Sequence, residues 1–553
     1  MATTVPDKSA ETAHQLETVP ATTLDEKLRG NVLDEYAQDG VKNEHDMTPL
    51  EAIKSHPMAV FWCLMVSMCV VMEGYDTILI GNFYAYPAFA RNYGVYVPTT
   101  QNYQITAEWQ SALGNSGGIG AFFGALLNGY LVSMFGQKRV LLGALIVLTA
   151  FIFMTVFAQN LVVLLVGEIM CGLPWGIFAT TAPAYASEVL PLPLRVYLTS
   201  YTNMCFIMGQ LIAAGVLSAF VDKKTWQWAY RIPFAIQWAW PLVLFPILLF
   251  SPESPWHLVR KGRLEEAEKS IRRLQRSSAG LDPKQALALI VHTNNIEQEL
   301  TAGTSYLDCF RGVERRRTEI SCMCFAGQVF VGSLFAYNST YFFQQIGFDS
   351  TQTYRLNVGS TGMALFGTLC NWFILLPRFG RRKIYLIGTA TMTTFLFIIG
   401  FLQIGANAHG GKPGPLLHAQ GAFTMLWTFC FQLSVGQLGW ALPAEVGSTR
   451  LRQKTVVLAR NAYYLASVIA RTLEPYFLNP LKWNIKGFTG FVWGSTGLLT
   501  FIWAYFRLPE TKDRTFDEID ILFAKGVKAR HFAETNVNTF DEGEPVVAAA
   551  KGI

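Results

Sequence analysis

The sequence predicts an all-α membrane protein of about twelve transmembrane helices in two six-helix bundles joined by a helical linker. Three observations carry that prediction. Apolar runs of about 20 residues recur along the chain, long enough to cross a bilayer as helices. Hydrophobic residues make up 51% of the chain against 15% charged, and mean hydropathy is +0.27, too apolar a balance for a water-soluble globule of 553 residues. The runs also fall into two sets with a charged stretch between them: near 58–82, 110–132, 139–158, 161–185, 199–220 and 232–250, then near 321–345, 355–377, 383–404, 419–442, 453–475 and 487–507.

From the N-terminus, residues 1–56 are acidic and rich in Thr, Ala and Pro, and they lack the apolar core of a signal peptide. They are expected to be a disordered cytosolic tail. Residues 57–251 form the first bundle and 252–320 a cytosolic linker, whose Arg260-Lys261-Gly262-Arg263-Leu264-Glu265-Glu266 and Ile271-Arg272-Arg273-Leu274 have the charge pattern of amphipathic helices on a membrane face. Residues 321–508 form the second bundle, and 509–553 a cytosolic C-terminal tail. Lys138-Arg139, Arg195, the linker, Arg378 with Arg381-Arg382-Lys383, and Arg450 with Arg452 and Lys454 all fall on one side. The opposite loops are poor in basic residues apart from Lys223 and Lys224, so both termini are expected in the cytosol. Phe135-Gly136-Gln137-Lys138-Arg139 after the second span is echoed by Phe379-Gly380-Arg381-Arg382-Lys383 after the eighth. A parallel repeat of this kind suits two bundles rocking about a central site.

Several function classes are disfavoured. The net charge of +5 is small and its basic residues sit in loop clusters, which topology explains better than nucleic-acid binding. Nine cysteines, nearly all inside apolar runs, imply neither a disulfide framework nor a metal site. Gly114-Asn115-Ser116-Gly117-Gly118-Ile119-Gly120 lies within an apolar span and lacks the Gly-Lys-Ser/Thr ending of a phosphate loop, so close helix packing explains it. With no nucleotide motif and no nucleophile–base set, the chain reads as a non-enzyme without a cofactor, driven by an ion gradient.

Two carboxylates interrupt the first apolar run, Glu73 and Asp76. An ionisable group inside a bilayer costs on the order of 3 kcal/mol and usually marks a transport path, here one for protons. Three residues apart, they share a helix face, and two close carboxylates in low dielectric are expected to titrate together. Arg460 and Arg471 in the eleventh span are the cations available to balance buried acids.

The ordered motifs Gly74-Tyr75-Asp76, Ser187-Glu188-Val189 with Arg195, Pro252-Glu253-Ser254-Pro255, Pro443-Ala444-Glu445 with Arg452, and Leu508-Pro509-Glu510-Thr511 resemble the sugar porter family of the major facilitator superfamily over residues 57–520. Glu73-Gly74-Tyr75-Asp76-Thr77, Cys171-Gly172-Leu173-Pro174-Trp175-Gly176 and Ala182-Pro183-Ala184-Tyr185 are similar to fungal maltose and α-glucoside permeases. The resemblance implies a major facilitator fold and proton-coupled uptake of maltose-like di- or trisaccharides across the plasma membrane, with a monomer as the functional unit. Departures from the pattern are Ser133-Met134 in place of Asp-Arg and Pro377 in place of an acid, which remove the usual anchors of the gating salt bridges, and Trp256 in place of an Arg, so that this arm of the charge network is missing or rebuilt.

The resemblance also implies site residues. Asp76 takes the proton-coupling position, and Glu168 stands where many relatives have Arg, giving three acids with Glu73; Arg460 is expected to pair with them in one state and leave them in another. Asn203, Gln210, Gln328 and Trp440 fall on sugar-contacting positions, with Tyr463, Tyr464, Asn461 and Asn338 as further contacts, although each polar residue also fits helix-to-helix bonding. Glu188, Arg195, Glu253, Glu445, Arg452 and Glu510 match positions that close the cytosolic gate. Alternatives to the coupled permease are an uncoupled hexose facilitator, a sugar sensor, and a homologue recruited to a secondary-metabolite pathway.

Overall fold

A computed structural model of the chain describes residues 48–98, 101–276, 282–301, 305–409, 414–448, 451–512, 514 and 516–535. Most of the expected N-terminal tail lies outside these residues. Its described part is ordered: Pro49–Ser55 is a helix whose N-cap Thr48 hydroxyl accepts the Glu51 N–H while the Glu51 carboxylate accepts the Thr48 N–H.

The first bundle comprises α1 (Pro57–Phe83), α2 (Ala107–Phe135), α3 (Gln137–Val156), α4 (Leu161–Val189), α5 (Leu192–Phe220) and α6 (Trp228–Leu249). In the second, α7 runs over Gly312–Phe330 and continues as Ser333–Tyr337 and Ser339–Gln345, followed by α8 (Ser350–Arg378) and α9 (Arg381–Ala408). It ends with α10 (Pro415–Leu433, then Val435–Val446), α11 (Arg452–Leu478) and α12 (Thr489–Arg507). Among the described residues eight helices, α1–α6, α8 and α9, are long and apolar enough to cross a membrane on those grounds alone. The other four fall short because α7 and α10 are broken, α11 carries Arg460, Arg471 and Glu474, and α12 is diluted by Gly, Ser and Thr.

The breaks are stabilised from neighbouring helices, as backbone groups without water must be. Thr496 of α12 donates to the Phe330 carbonyl (2.6 Å), and Asn371 of α8 to the Leu433 carbonyl (2.6 Å). Within the first bundle, α2 and α4 approach so closely that a Cβ on Gly120 would lie 2.1 Å from the Ile169 carbonyl oxygen, which explains the glycine-rich run.

The end of the linker shifts, and the C-terminal tail carries a docked helix. Residues 312–320, expected in the linker, are the first turns of α7. The linker helices Pro255–Arg260, Leu264–Leu274 and Pro283–Thr301 bury a small core of their own, including Leu258, Val259, Ala267, Ile271, Leu287 and Val291. Phe516–Ala524 docks under the second bundle through buried Ile519, Leu522 and Phe523 and an Asp520–Arg317 ion pair (2.5 Å).

The opposite face carries a short helix (Pro87–Tyr93) and an antiparallel hairpin, Val95–Val97 with Asn102–Gln104, the one strand pair among the described residues. Between described residues, the polar bonds that join the two bundles all lie in this hairpin half. Arg471 donates to the Gly114 carbonyl (2.6 Å), Ser111 to that of Thr472 (3.0 Å), Asn479 to that of Ile105 (2.8 Å) and Tyr354 to that of Asn82 (2.6 Å). Thr351 bonds Asp222 (2.7 Å), Tyr341 and Gln345 reach Gln104, and Lys482 pairs with Glu108 (2.5 Å). The described bonds hold the bundles together at the hairpin end.

At the α2–α3 turn Gly136 has φ +89°, and a Cβ there would lie 2.6 Å from the Glu253 carboxylate. Gly136→Ala is expected to cost about 1–2 kcal/mol and lower the melting temperature of detergent-purified protein. Gly143→Ala, inside α3 where a Cβ meets nothing within 4 Å, should not lower it.

Candidate functional site

Between the bundles lies a cavity of about 460 Å³, lined from α1, α2, α4 and α5 on one side and α7, α10 and α11 on the other. Glu73, Asp76, Glu168 and Arg460 line it, and so do Asn203, Gln210, Gln328, Asn338, Trp440, Asn461, Tyr463 and Tyr464. Every residue singled out for proton or sugar contact thus meets the same space, although the residues come from six different helices.

The acids cluster on the first bundle. Asp76 is buried; its Oδ1 accepts from Gln237 Nε2 at 2.6 Å, and the Glu168 carboxyl of α4 stands beside it with Oε1 buried and without a partner. The close carboxyl pair is therefore Asp76 with Glu168. Glu73, one turn earlier on α1, turns toward Arg460 and Arg471 and leaves Oε2 buried without a partner.

The cations come from the second bundle. Among the described residues no ion pair joins Arg460 to the three acids. Its guanidinium sits 4.1 Å from the Trp440 ring and 5.3 Å from that of Tyr464, with Phe325 and Tyr463 each at 5.8 Å, and its Nε donates to the Tyr464 hydroxyl (3.3 Å). Aromatic faces hold a cation where no anion is in contact. This is the separated arrangement of the two expected for Arg460. It also means that three rings expected to meet sugar, those of Trp440, Tyr463 and Tyr464, surround the cation here.

Amides occupy the remaining walls. Asn203 Nδ2 and Gln328 Nε2 are buried with no acceptor, and Gln210 and Tyr337 both line the cavity beside them. Buried donors without acceptors are costly unless a ligand or water supplies them, and vicinal hydroxyls of a carbohydrate fit that need.

On the linker face the charged motifs form two matching units. Glu253 accepts the N–H groups of Gln137 (2.9 Å), Lys138 (3.2 Å) and Ser254 (3.1 Å), while Glu510 accepts those of Arg381 (2.7 Å), Thr511 (3.2 Å) and Lys512 (3.2 Å). Each carboxylate caps the start of a helix, α3 or α9, where partial positive charge collects. Burial pushes the Glu253 carboxyl up, and the three backbone N–H bonds oppose the shift. Glu188 accepts from Ser254 Oγ (2.5 Å) and Gln137 Nε2 (2.7 Å); Glu445 accepts from Thr511 Oγ1 (2.5 Å) and faces Arg381 (3.5 Å). The arm put in doubt by Trp256 is rebuilt: Arg260, one turn later, reaches Glu188 (3.1 Å) with its guanidinium 5.8 Å from the Trp256 ring. Arg452 opens α11, and the side chain of Arg195 lies outside the described residues.

Sequence reasoning passed over buried polar groups, among them Gln237 and Glu474. Gln237 sits in α6 with no motif to mark it. Glu474 of α11, fully buried away from the cavity, accepts from Trp493 Nε1 (2.6 Å); as an acid inside an apolar span it carried a signal that went unread.

A family profile described as "Sugar (and other) transporter" matches residues 62–523. The chain belongs to the sugar transporter family. As a member it is 38% identical over 529 residues to a maltose permease of Saccharomyces cerevisiae, covering 94% of this chain and 84% of that one. An alpha-glucosides permease of the same yeast is 38% identical over 518 residues, covering 92% and 84%. Among solved structures, the proton:xylose symporter XylE bound to 6-bromo-6-deoxy-D-glucose aligns with a TM-score of 0.66 at 21% identity, over 84% of this chain and 99% of that one. An inward open conformation of XylE from E. coli aligns with the same score, coverage and identity. The fold is that of the major facilitator transporters, and this sugar transporter is a multi-pass membrane protein.

Arg471→Ala removes the bond to the Gly114 carbonyl and is expected to open the hairpin side. Labelling of Asn461→Cys by a membrane-impermeant maleimide applied from that side should rise several-fold, as loss of about 1 kcal/mol permits.

Proposed function

We propose that this sugar transporter takes up α-linked glucosides of maltose-like size together with protons, by alternating access, with no cofactor and a proton gradient as the driving force. The carrying observation is that one cavity between the bundles holds both a carboxyl cluster on the first bundle and a set of amides and aromatic faces around a cation on the second. A group that binds protons and a group that binds sugar in one space, on opposite moving bodies, can each feel the state of the other. The names of the yeast relatives support the substrate class.

The linker face is cytosolic in this reading, since its loops hold the basic clusters. In this reading both termini are cytosolic, the protein works in the plasma membrane, and the monomer is the functional unit. The bonds of the hairpin half shut the outer mouth. Glu188, Arg195, Glu253, Glu445, Arg452 and Glu510 regulate the inner one, the capped helix starts giving each bundle a stiff inner edge.

Three cavity acids favour coupling over a facilitator. The deciding experiment is uptake of labelled maltose, sucrose, trehalose and glucose in transporter-null yeast, with and without an uncoupler, alongside external pH. Uncoupler-sensitive uptake of an α-linked disaccharide with external alkalinisation is expected; uncoupler-resistant glucose uptake alone would overturn the proposal. Asp76→Asn is expected to abolish uphill accumulation while leaving sugar exchange. Gln210→Ala should raise the KM for sugar about tenfold, the size of one lost hydrogen bond of roughly 1.4 kcal/mol, with little change in exchange at saturation.

A further inference from the structure

The proton site has a partner that is neither acid nor cation. Gln237 lies where α6 passes from Trp228–Ile236 to Ala239–Leu249, 2% exposed, and its amide Nε2 donates to Asp76 Oδ1 at 2.6 Å. The Asp76 carboxyl is thereby held between an amide donor from α6 and the Glu168 carboxyl from α4. Around it stand Glu168 and Cys171 of α4 and Tyr75 and Glu73 of its own helix. No other element packed there adds a charged group among the described residues, and the cations of α11 lie toward Glu73.

Two carboxyls in contact in a dry site hold a proton between them. An amide N–H aimed at one oxygen biases that carboxyl toward its ionised form, because the bond to a carboxylate is stronger than the bond to the carbonyl oxygen of the protonated acid. The bond thus biases the pair toward Asp76 as the ionised member and Glu168 as the protonated one. It also joins two helices of one bundle, so it travels with the pair when the bundles rock, whereas Arg460 and Arg471 belong to the other bundle and change their distance.

We propose that Gln237 is a positioning residue for proton coupling: its amide donates to Asp76, biases it to be the ionised member of the carboxyl pair and so sets the pH at which the pair releases its proton, leaving the state dependence to the α11 cations. This inference rests on the reading of Asp76 as the coupling acid. The amide does not titrate, so its contribution is a constant bias, present in every state of the cycle.

The test is the external pH profile of maltose accumulation, measured with maltose exchange in the same cells. Gln237→Met keeps side-chain length and deletes the donor. The carboxylate loses a hydrogen bond, protonation is favoured, and the alkaline limb should move up by about one pH unit while exchange stays near the wild-type rate. Gln237→Glu, of equal size, adds an acid and is expected to move the limb further in the same direction. A wild-type profile in either variant that still exchanges maltose overturns the inference. So does loss of exchange in both, which would make the amide structural. Asp76→Asn separates the two levels: if it still accumulates maltose, the coupling reading fails and this inference with it. If it does not, while Gln237→Met keeps the wild-type profile, only the role of Gln237 falls.

Discussion

A charge inside a membrane bundle has to be answered by another side chain, and in this transporter the answers are divided between two bodies. The acids sit on α1 and α4 of one bundle and the cations on α11 of the other. Neither set is in ionic contact here. The cation is satisfied by aromatic rings and Asp76 by an amide, while Glu73 and Glu168 each keep a buried oxygen without a partner. That provisional satisfaction allows the bundles to separate at one end without stranding a bare charge, since an ion pair broken in low dielectric is costly.

The architecture around this division repeats itself. Glu253 and Glu510 perform the same task on α3 and α9, and Glu188 and Glu445 the same task on Ser254 and Thr511. The sequence echo at Gly136 and Gly380 was the visible trace of it: a carboxylate sits where each glycine leaves room, 2.6 Å and 2.1 Å from the Cβ positions. The repeat therefore concerns helix capping as much as charge, which the motif residues alone did not reveal.

Much of the site was legible because membrane burial makes polar residues conspicuous. Glu73, Asp76, Glu168 and Arg460 stand out in apolar runs, and the motif order located Asn203, Gln328 and Trp440. What escaped was decided by rotation and depth. Gln237 is one neutral amide in a helix with others, and only the turn of α6 aims it at Asp76. Glu474 has the composition of a path acid but faces Trp493 inside its own bundle. The contact of Asp76 with Glu168, from two helices, could not be read from the Glu73/Asp76 spacing. Arg260 replaced the missing arm from a turn later, a substitution that motif alignment by position does not see. The helical breaks at Phe330 and Leu433 were hidden for the opposite reason, since their freed carbonyls are stabilised by Thr496 and Asn371, residues remote in sequence.

The bonds that hold the hairpin end of the bundles together are mostly single hydrogen bonds to backbone carbonyls, from Arg471, Ser111, Asn479 and Tyr354. Such a bond contributes on the order of 1 kcal/mol, and that amount shifts a two-state ratio about fivefold. The closure behaves like a zip of weak, separately openable teeth rather than a bolt. Lipid thickness, temperature or a neighbouring protein can therefore retune the resting balance of the carrier by small increments, and selection can adjust its transport rate along this seam without touching the chemistry of the cavity.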